Sequence, residues 1–391
     1  MGNRVVIKFG GADLATGEKI RRAAEMVLRS GFREIVVVVS AMEGDTNRLV
    51  EVVSQIGNVP DEDYAEIVSM GERTSARLFC SALGSLGADA VYLEPSHEEW
   101  PILTDSDYLD ASADMDKTCE RVGRYMEPLL GKKIIVVCGF LGRDESGSVT
   151  TLGRGGSDTT AMVLGNCLRA EEVILVKETE GVMSADPKIV PEAKPLEKLD
   201  IQEMFALAYG GARIVKADAL KYKLPSQKLR IVNFTNGLQG GTEVTGVFNA
   251  SSTQIAQRRD LLAVSIVCEI TSERLGGIFS SLRDRPIYGI STGRGSLTIF
   301  TSSENAKTLI NDLHSLSLCK ALSARSGIGM VELTHPVFID SPGWIAKVSG
   351  ALASKSINII EITTSKATIS IFVDESKIED AVNVLRDALE A

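Results

Sequence analysis

The sequence predicts an α/β protein: a large sandwich domain with a mainly parallel sheet, followed by two smaller repeats of a ferredoxin-like plan. Three observations lead to this prediction. Short β-branched runs alternate with helical patterns over the first two thirds of the chain, as expected for parallel strands buried on both faces. A polar, turn-rich segment at 236–260 then interrupts the alternation. Beyond it, strand and helix patterns recur twice in the same order, which indicates internal duplication.

Near-continuous apolar runs define the strands of the first part, and a helical pattern over 18–30 separates the first two. The runs are Arg4–Phe9, Glu34–Ser40, Lys133–Cys138, Glu172–Lys177 and Leu229–Asn233. In each repeat a strand is followed by a helix, two further strands and a second helix. The predicted domains are therefore 1–250, 261–329 and 330–391.

Composition narrows the class of protein. The 391 residues are 44% hydrophobic and 24% charged, with a net charge of −10. A nucleic-acid surface normally needs a basic face, so we expect no nucleic-acid partner. No apolar run approaches the roughly 20 residues of a membrane span, and no secretory leader is evident, so we expect a cytoplasmic protein without a membrane partner. The six scattered cysteines contain no CxxC pair and are interpreted as reduced core residues, with no metal site predicted.

A glycine-rich segment, Thr150–Ala161, is the most specific pattern in the chain. It runs into a predicted helix, whose free N–H groups and positive dipole end favour anions. Within it, Arg154 offers a planar fork for a carboxylate, and Asp158 can orient a lysine or bind a metal near a phosphate. The glycines alone fit a plain strand-to-helix turn equally well.

A second possible anion cradle is Lys8-Phe-Gly10-Gly11, at the end of the first strand. The lysine can neutralise a transferring phosphoryl group, and the glycines let the backbone approach it. Taken alone, this pattern fits a solvated lysine beside a turn better. Neither cradle matches the Walker pattern, which argues against a P-loop protein.

Seven segments in this order resemble the motifs of the aspartate kinases, members of the amino acid kinase family with C-terminal tandem ACT domains. They are Lys8–Gly11, Val39–Met42, Gly71–Arg73, Thr104–Asp105, Gly139–Gly142, Thr150–Ala161 and Ala185–Pro187. The resemblance implies an amino acid kinase-type three-layer sandwich followed by two ACT domains. It also implies transfer of the ATP γ-phosphate, with Mg²⁺, to the side chain of L-aspartate. The product would be 4-phospho-L-aspartate, and the reaction would be the first step in the biosynthesis of lysine, threonine and methionine.

The resemblance also assigns residues to roles. The catalytic pair is Lys8 and Asp158. Substrate contacts fall to Ser40, Thr46, Glu72, Arg154 and Ser157, with Arg154 on the α-carboxylate and Glu72 on the ammonium group. Nucleotide contacts fall to Lys8, Gly10, Gly11, Lys177, Glu178, Met183, Lys188 and Arg213. A lysine or threonine effector would contact Asp340, Gly343, Trp344, Ile345 and Asn358, and the enzyme would form a homodimer or larger homo-oligomer.

Some positions depart from the family pattern. Asp13 stands where the motif has a hydroxyl residue, and Lys177 and Met183 replace the usual threonine and tyrosine of the nucleotide segment. Two alternatives therefore stay open: a related kinase acting on another carboxylate or phosphate, and a non-catalytic amino-acid sensor.

Overall fold

The computed structural model describes residues 4–210, 212, 214–247, 253–283, 285–316, 319–335, 338, 342–365 and 367–390. The chain forms two compact units, Met1–Phe248 and Asn249–Ala391. The predicted end of the first domain at residue 250 is close to this division. Within the described ranges, no helix combines the length and the hydrophobicity needed to cross a bilayer.

The first unit is built on an eight-stranded sheet and a separate two-stranded hairpin. Its strands are β1 (Arg4–Phe9), β2 (Glu34–Val39), β3 (Ala90–Leu93), β4 (Ile134–Cys138), β5 (Leu141–Arg143), β6 (Val149–Thr151), β7 (Glu172–Lys177), β8 (Lys198–Asp200), β9 (Lys228–Asn233) and β10 (Thr242–Thr245). The large sheet has the order β3-β4-β2-β1-β7-β9-β10-β8, and β5 pairs with β6. All pairs in the large sheet are parallel except β9 with β10.

The central strands are apolar because both faces of the sheet are covered. In β1 and β2, five of six residues are buried, as expected for parallel strands between helical layers. The helices of this unit are α1 (Gly17–Leu28), α2 (Asp45–Ile56), α3 (Asp61–Ser85), α4 (Met115–Arg121), α5 (Gly156–Cys167) and α6 (Ile201–Tyr209). Helix α5 is buried over ten residues, from Gly156 to Gly165. These observations confirm the predicted α/β class with a mainly parallel sheet.

The second unit consists of two βαββα repeats on one six-stranded sheet. The first repeat contains β11 (Gln254–Val267), α7 (Ser272–Leu282), β12 (Ile287–Gly293), β13 (Ser296–Ser302) and α8 (Ala306–Ser315). The second contains β14 (Ala321–Thr334), α9 (Trp344–Ser354), β15 (Ile359–Ser365), β16 (Thr368–Asp374) and α10 (Ile378–Glu390). The sheet order is β12-β13-β11-β14-β16-β15. The predicted duplication is therefore visible as two copies of one element order.

The two repeats share their central strands. Residues 261–267 of β11 pair with β13 of their own repeat, whereas residues 254–258 pair with β14 beside β16. The first half of β14 in turn lies along the second half of β11. Each long strand thus supplies the first strand of one repeat and the fourth strand of the other. The predicted limits at 261 and between 329 and 330 fall inside β11 and β14, and the division into three domains stays a prediction.

The segment at 236–260, where the sequence predicts a domain boundary, contains the division between the two compact units. It also contains β10 and the start of β11, because polar residues can form strands wherever backbone partners are available. The interpretation of all six cysteines as reduced is wrong, since Cys119 and Cys167 form a disulfide between α4 and the end of α5. These residues are 48 positions apart, a spacing that gives no signal in the sequence.

Candidate functional site

The candidate site lies where the carboxyl ends of β1, β2 and β7 meet, the edge at which open α/β sheets usually bind ligands. Lys8 comes from β1, Lys177 ends β7, and Asp158 lies in the first turn of α5. The Lys8 ammonium is 2.9 Å from Asp158 Oδ1, and the Lys177 ammonium is 3.1 Å from Asp158 Oδ2. One buried carboxylate therefore holds two ammonium groups.

The charges of this cluster depend on one another. Burial opposes ionisation of Asp158, but the charges of Lys177 and Lys8 and hydrogen bonds from both bring its pKa down to about 2. Burial lowers the pKa of Lys177, and the charges of Asp158 and Asp13 act against that shift. Asp158 is therefore ionised over the whole physiological range, and the charges of Asp158 and Asp13 favour the protonated form of Lys177.

The turn after β1 brings Gly10, Gly11 and Asp13 to the same place. The backbone N–H of Gly10 donates to Asp13 Oδ2 at 2.9 Å, and Asp13 is only 2% exposed. Asp13 Oδ1 is buried and accepts no hydrogen bond from the described residues. A Cβ on Gly10 would lie 3.3 Å from Asp13 Oδ2 and 3.8 Å from the Lys8 ammonium. The glycine thus leaves room beside the lysine.

Glu72 reaches the site from the middle of α3. Its Oε1 accepts a hydrogen bond from the backbone N–H of Ala41 at 3.0 Å, whereas Oε2 is buried and has no partner among the described residues. Burial raises the pKa of Glu72 to about 7, although the bond from Ala41 and the charge of Lys8 oppose the shift. Helix α3 can approach this closely because residue 71 is a glycine: a Cβ on Gly71 would lie only 2.6 Å from the Cβ of Ala41. Thr46 is also close by, since its hydroxyl oxygen is 3.8 Å from the position of such a Gly71 Cβ.

The glycine-rich turn joins β6 to α5. Gly155 caps α5 in the left-handed region at φ +79°, where a side chain is strained. Ser157 follows it, and its hydroxyl accepts a hydrogen bond from the Ser40 hydroxyl at 3.0 Å. The side chain of Arg154 is exposed in the turn. The structure therefore brings Ser40 and Ser157 together, whereas Arg154 is exposed in the turn.

The residues predicted to bind nucleotide are not all gathered at one point. Lys177 belongs to the Asp158 cluster, whereas Glu178 and Lys188 are exposed and Met183 is half-buried. Lys188 follows a turn in which its backbone N–H donates to Asp186 at 2.9 Å. Arg213 lies outside the described residues.

Two side chains at the site had no predicted role. The aliphatic stem of Lys216 packs on Gly155, and its ammonium donates to the carbonyl of Leu152 at 2.9 Å, which ties it to the glycine-rich turn. Asp13 faces the lysines instead of solvent. The sequence signal for Asp13 is its place directly after two glycines at a strand end, and nothing in the spacing points to Lys216.

The predicted effector residues lie in the second repeat. Gly343 caps α9 at φ +96°, and Trp344 begins the helix and packs on Phe338 with ring centroids 5.2 Å apart. Ile345 is half exposed. Asn358 follows the carboxyl end of α9, whereas Gly343 precedes its amino end. Because this 11-residue helix is about 16 Å long, Asn358 and Gly343 of the same repeat do not lie side by side. Asp340 lies outside the described residues.

Comparisons with known proteins identify the family of the chain. The amino acid kinase family profile matches residues 3–233, and an ACT domain profile matches residues 323–387. An aspartate kinase of Stutzerimonas stutzeri (strain A1501) is 32% identical over 409 residues, covering 99% of this chain and 97% of that protein. An aspartokinase of Pseudomonas aeruginosa is also 32% identical, over 411 residues with the same coverage.

A crystal structure of aspartate kinase from Synechocystis has a TM-score of 0.72 and 25% identity, covering 99% of this chain and 70% of that one. These similarities span both compact units. They confirm the family and the fold class predicted from the sequence. The chain therefore belongs to the aspartate kinases, phosphotransferases of the amino acid kinase family with a C-terminal ACT region.

Proposed function

We propose that this chain transfers the γ-phosphate of ATP to the side-chain carboxylate of L-aspartate and so forms 4-phospho-L-aspartate, the first step towards lysine, threonine and methionine. The observation that carries the proposal is the arrangement of two ammonium groups on one buried carboxylate at the carboxyl ends of β1 and β7. Phosphoryl transfer to a carboxylate brings two anions together, and its catalysis rests on positioning and on cationic charge. Lys8 supplies such a charge, and Asp158 orients it.

The acceptor needs one cation and one anion to hold an amino acid. Arg154 binds the α-carboxylate, for which a guanidinium offers two parallel donors. The unpartnered Oε2 of Glu72 receives the ammonium group. The linked hydroxyls of Ser40 and Ser157, with Thr46, contact the rest of the substrate. This set gives the site its preference for a small acidic amino acid.

The nucleotide is proposed to bind at the same edge of the sheet. Gly10 and Gly11 let the backbone approach its phosphates. The other proposed nucleotide contacts are Lys177, Glu178, Met183, Lys188 and Arg213. Magnesium enters as the MgATP complex, because phosphate oxygens and water usually supply most of its ligands. We retain a cytoplasmic location and a homodimer or larger homo-oligomer as predictions.

Arg154→Ala tests the assignment of the acceptor. ADP release is measured with MgATP and a panel that contains L-aspartate, L-glutamate and non-amino carboxylates. We expect the wild-type protein to turn over aspartate, and the variant to raise the KM for aspartate about 100-fold through loss of a bidentate charged contact.

Arg33→Ala is the matched control, since Arg33 is exposed and precedes β2 at the opposite edge of the sheet. Turnover of another carboxylate in preference to aspartate would indicate the related kinase. A protein that binds amino acids without turnover of any acid would indicate the sensor.

We further propose that lysine or threonine inhibits the enzyme through the second unit. Gly343→Ala places a side chain at φ +96°, a conformation that costs about 1–2 kcal/mol, and should distort the start of α9. Half-maximal inhibition is then expected to need about tenfold more effector. Gly350→Ala, within the same helix and facing open space, should leave inhibition as in the wild type. Equal responses of the two variants would refute a role for the α9 start.

A further inference from the structure

Asp13 and Lys177 are two further ionisable groups beside the pair formed by Lys8 and Asp158. Lys177 is bound through both oxygens of Asp158, at 3.3 and 3.1 Å. Asp158 already holds Lys8 at 2.9 Å, so one carboxylate serves two ammonium groups. Asp13 is the fourth ionisable group of the cluster.

Asp13 is held where its charge acts on both lysines. It is anchored through Oδ2 by the backbone N–H of Gly10, it is 2% exposed, and its Oδ1 has no hydrogen-bond donor among the described residues. Burial raises the pKa of Asp13, and the hydrogen bond from Gly10 and the charges of Lys8 and Lys177 oppose that rise. A buried carboxylate without a donor on one oxygen is costly, and its compensation here is the field of the two lysines.

The position of Lys177 suits contact with the moving phosphate. It ends β7 directly beside β1, and both ammonium groups reach the same carboxylate. A phosphoryl group that meets Lys8 at this point also meets Lys177. During transfer, the bond from γ-phosphorus to the bridging oxygen of ADP breaks as the aspartate carboxylate oxygen bonds to phosphorus. Both ammonium groups keep their protons throughout.

We propose that Lys177 is a second catalytic lysine that contacts the transferring phosphoryl group, and that Asp13 is a positioning residue that keeps Lys177 charged and in place. This inference rests on the proposed function and replaces a passive nucleotide contact at Lys177 with a role in the chemical step. Asp13 has no direct contact with substrate in this scheme. Its influence passes through Lys177.

The charged groups around Lys177 define the expected pH dependence. They are Asp158 of α5, Lys8 of β1, Asp13 of the following turn, and the adjacent Glu178, which lies 3.8 Å from Lys19. Removing Asp13 takes away one of the two carboxylates that oppose the effect of burial. The loss of activity at alkaline pH should then begin at a lower pH in Asp13→Asn than in the wild type.

The test is a double-mutant cycle in the full-length enzyme, with kcat and both KM values measured by ADP release. Lys177→Met should lower kcat about 100-fold and change the KM for aspartate less than threefold, because the contact exists in the transition state. Asp13→Asn should lower kcat much less in the Lys177→Met background than in the wild type, since the lysine that Asp13 keeps in place is then absent. Lys177→Gln replaces Lys177→Met if that variant does not fold.

Each of the other possible outcomes would contradict one part of the proposal, either the role of Lys177 or the role of Asp13. An unchanged kcat with a raised KM for ATP in Lys177→Met would assign that lysine to nucleotide binding alone. Additive losses, or an unmoved alkaline limb in Asp13→Asn, would overturn the role of Asp13. The surface pair Asp89 and Lys133, 3.2 Å apart, is the matched control, and Asp89→Asn and Lys133→Met should leave all constants unchanged. A wild-type enzyme without aspartate turnover would instead refute the proposed function.

Discussion

Asp158→Asn should lower kcat about 1,000-fold while the enzyme still binds aspartate. The carboxylate holds Lys8 and Lys177 at 2.9 and 3.1 Å, and an amide cannot balance two ammonium groups. The lysines then repel each other and leave the position of the transferring phosphate. Loss of one preorganised donor typically costs about 100- to 1,000-fold, and here two are affected together. Steady-state kinetics with both substrates saturating measure the effect.

Asp144→Asn is the matched control for this variant. Asp144 is likewise a buried aspartate of the first unit, but it accepts hydrogen bonds from Ser146 and Ser148 near β5 and β6 and forms no ion pair in the described ranges. It should retain kcat within a few-fold. Thermal unfolding of both variants separates lost catalysis from lost folded protein. If Asp158→Asn kept more than a tenth of wild-type kcat, the two-lysine arrangement would not be what drives transfer.

The affinity for aspartate should fall as the pH drops through about 7. The pKa of Glu72 in the free enzyme is about 7, so the carboxylate is charged above that pH and neutral below it. Only the charged form can pair with the substrate ammonium, and each pH unit below the pKa reduces that form tenfold. Between pH 8 and pH 5.5, kcat/KM for aspartate should decrease about 30-fold, whereas the KM for ATP should stay constant.

Glu72→Gln should remove this pH dependence. The variant has no titrating group at the position, so its KM for aspartate should be about 100-fold higher and flat from pH 5.5 to 8. Glu94→Gln, a change at a buried carboxylate paired with Arg77, should keep the wild-type pH profile. A pH profile unchanged in Glu72→Gln would show that the ammonium group binds elsewhere.

The sequence indicated much of the fold for a simple physical reason. Strands such as β1 and β2 are buried on both faces, and burial leaves a continuous apolar run that can be read directly. The glycine-rich turn is also visible in the sequence, because its left-handed backbone requires glycine at Gly155. The resemblance to the aspartate kinases pairs Lys8 with Asp158, and the two are 2.9 Å apart in the structure.

Other features depend on spatial neighbours that leave no local pattern. The first half of β11 is polar and exposed, and it becomes a strand only because β14 offers backbone partners. The disulfide from Cys119 to Cys167 depends on the packing of α4 beside α5. Asp13 lies next to Lys177 in space but 164 residues away in the chain, so their relation appears only when β7 pairs with β1.

The pairing of β11 with β14 along their whole length also affects how the two repeats of the second unit behave together. One repeat on its own would lack the half-strand that the other repeat adds to its sheet. Its first strand would then have an unpaired edge. We expect the pair to unfold in one transition, and an amino acid bound to either copy to stabilise both. We therefore expect the two repeats to respond to a bound ligand as one unit, because they belong to a single six-stranded sheet.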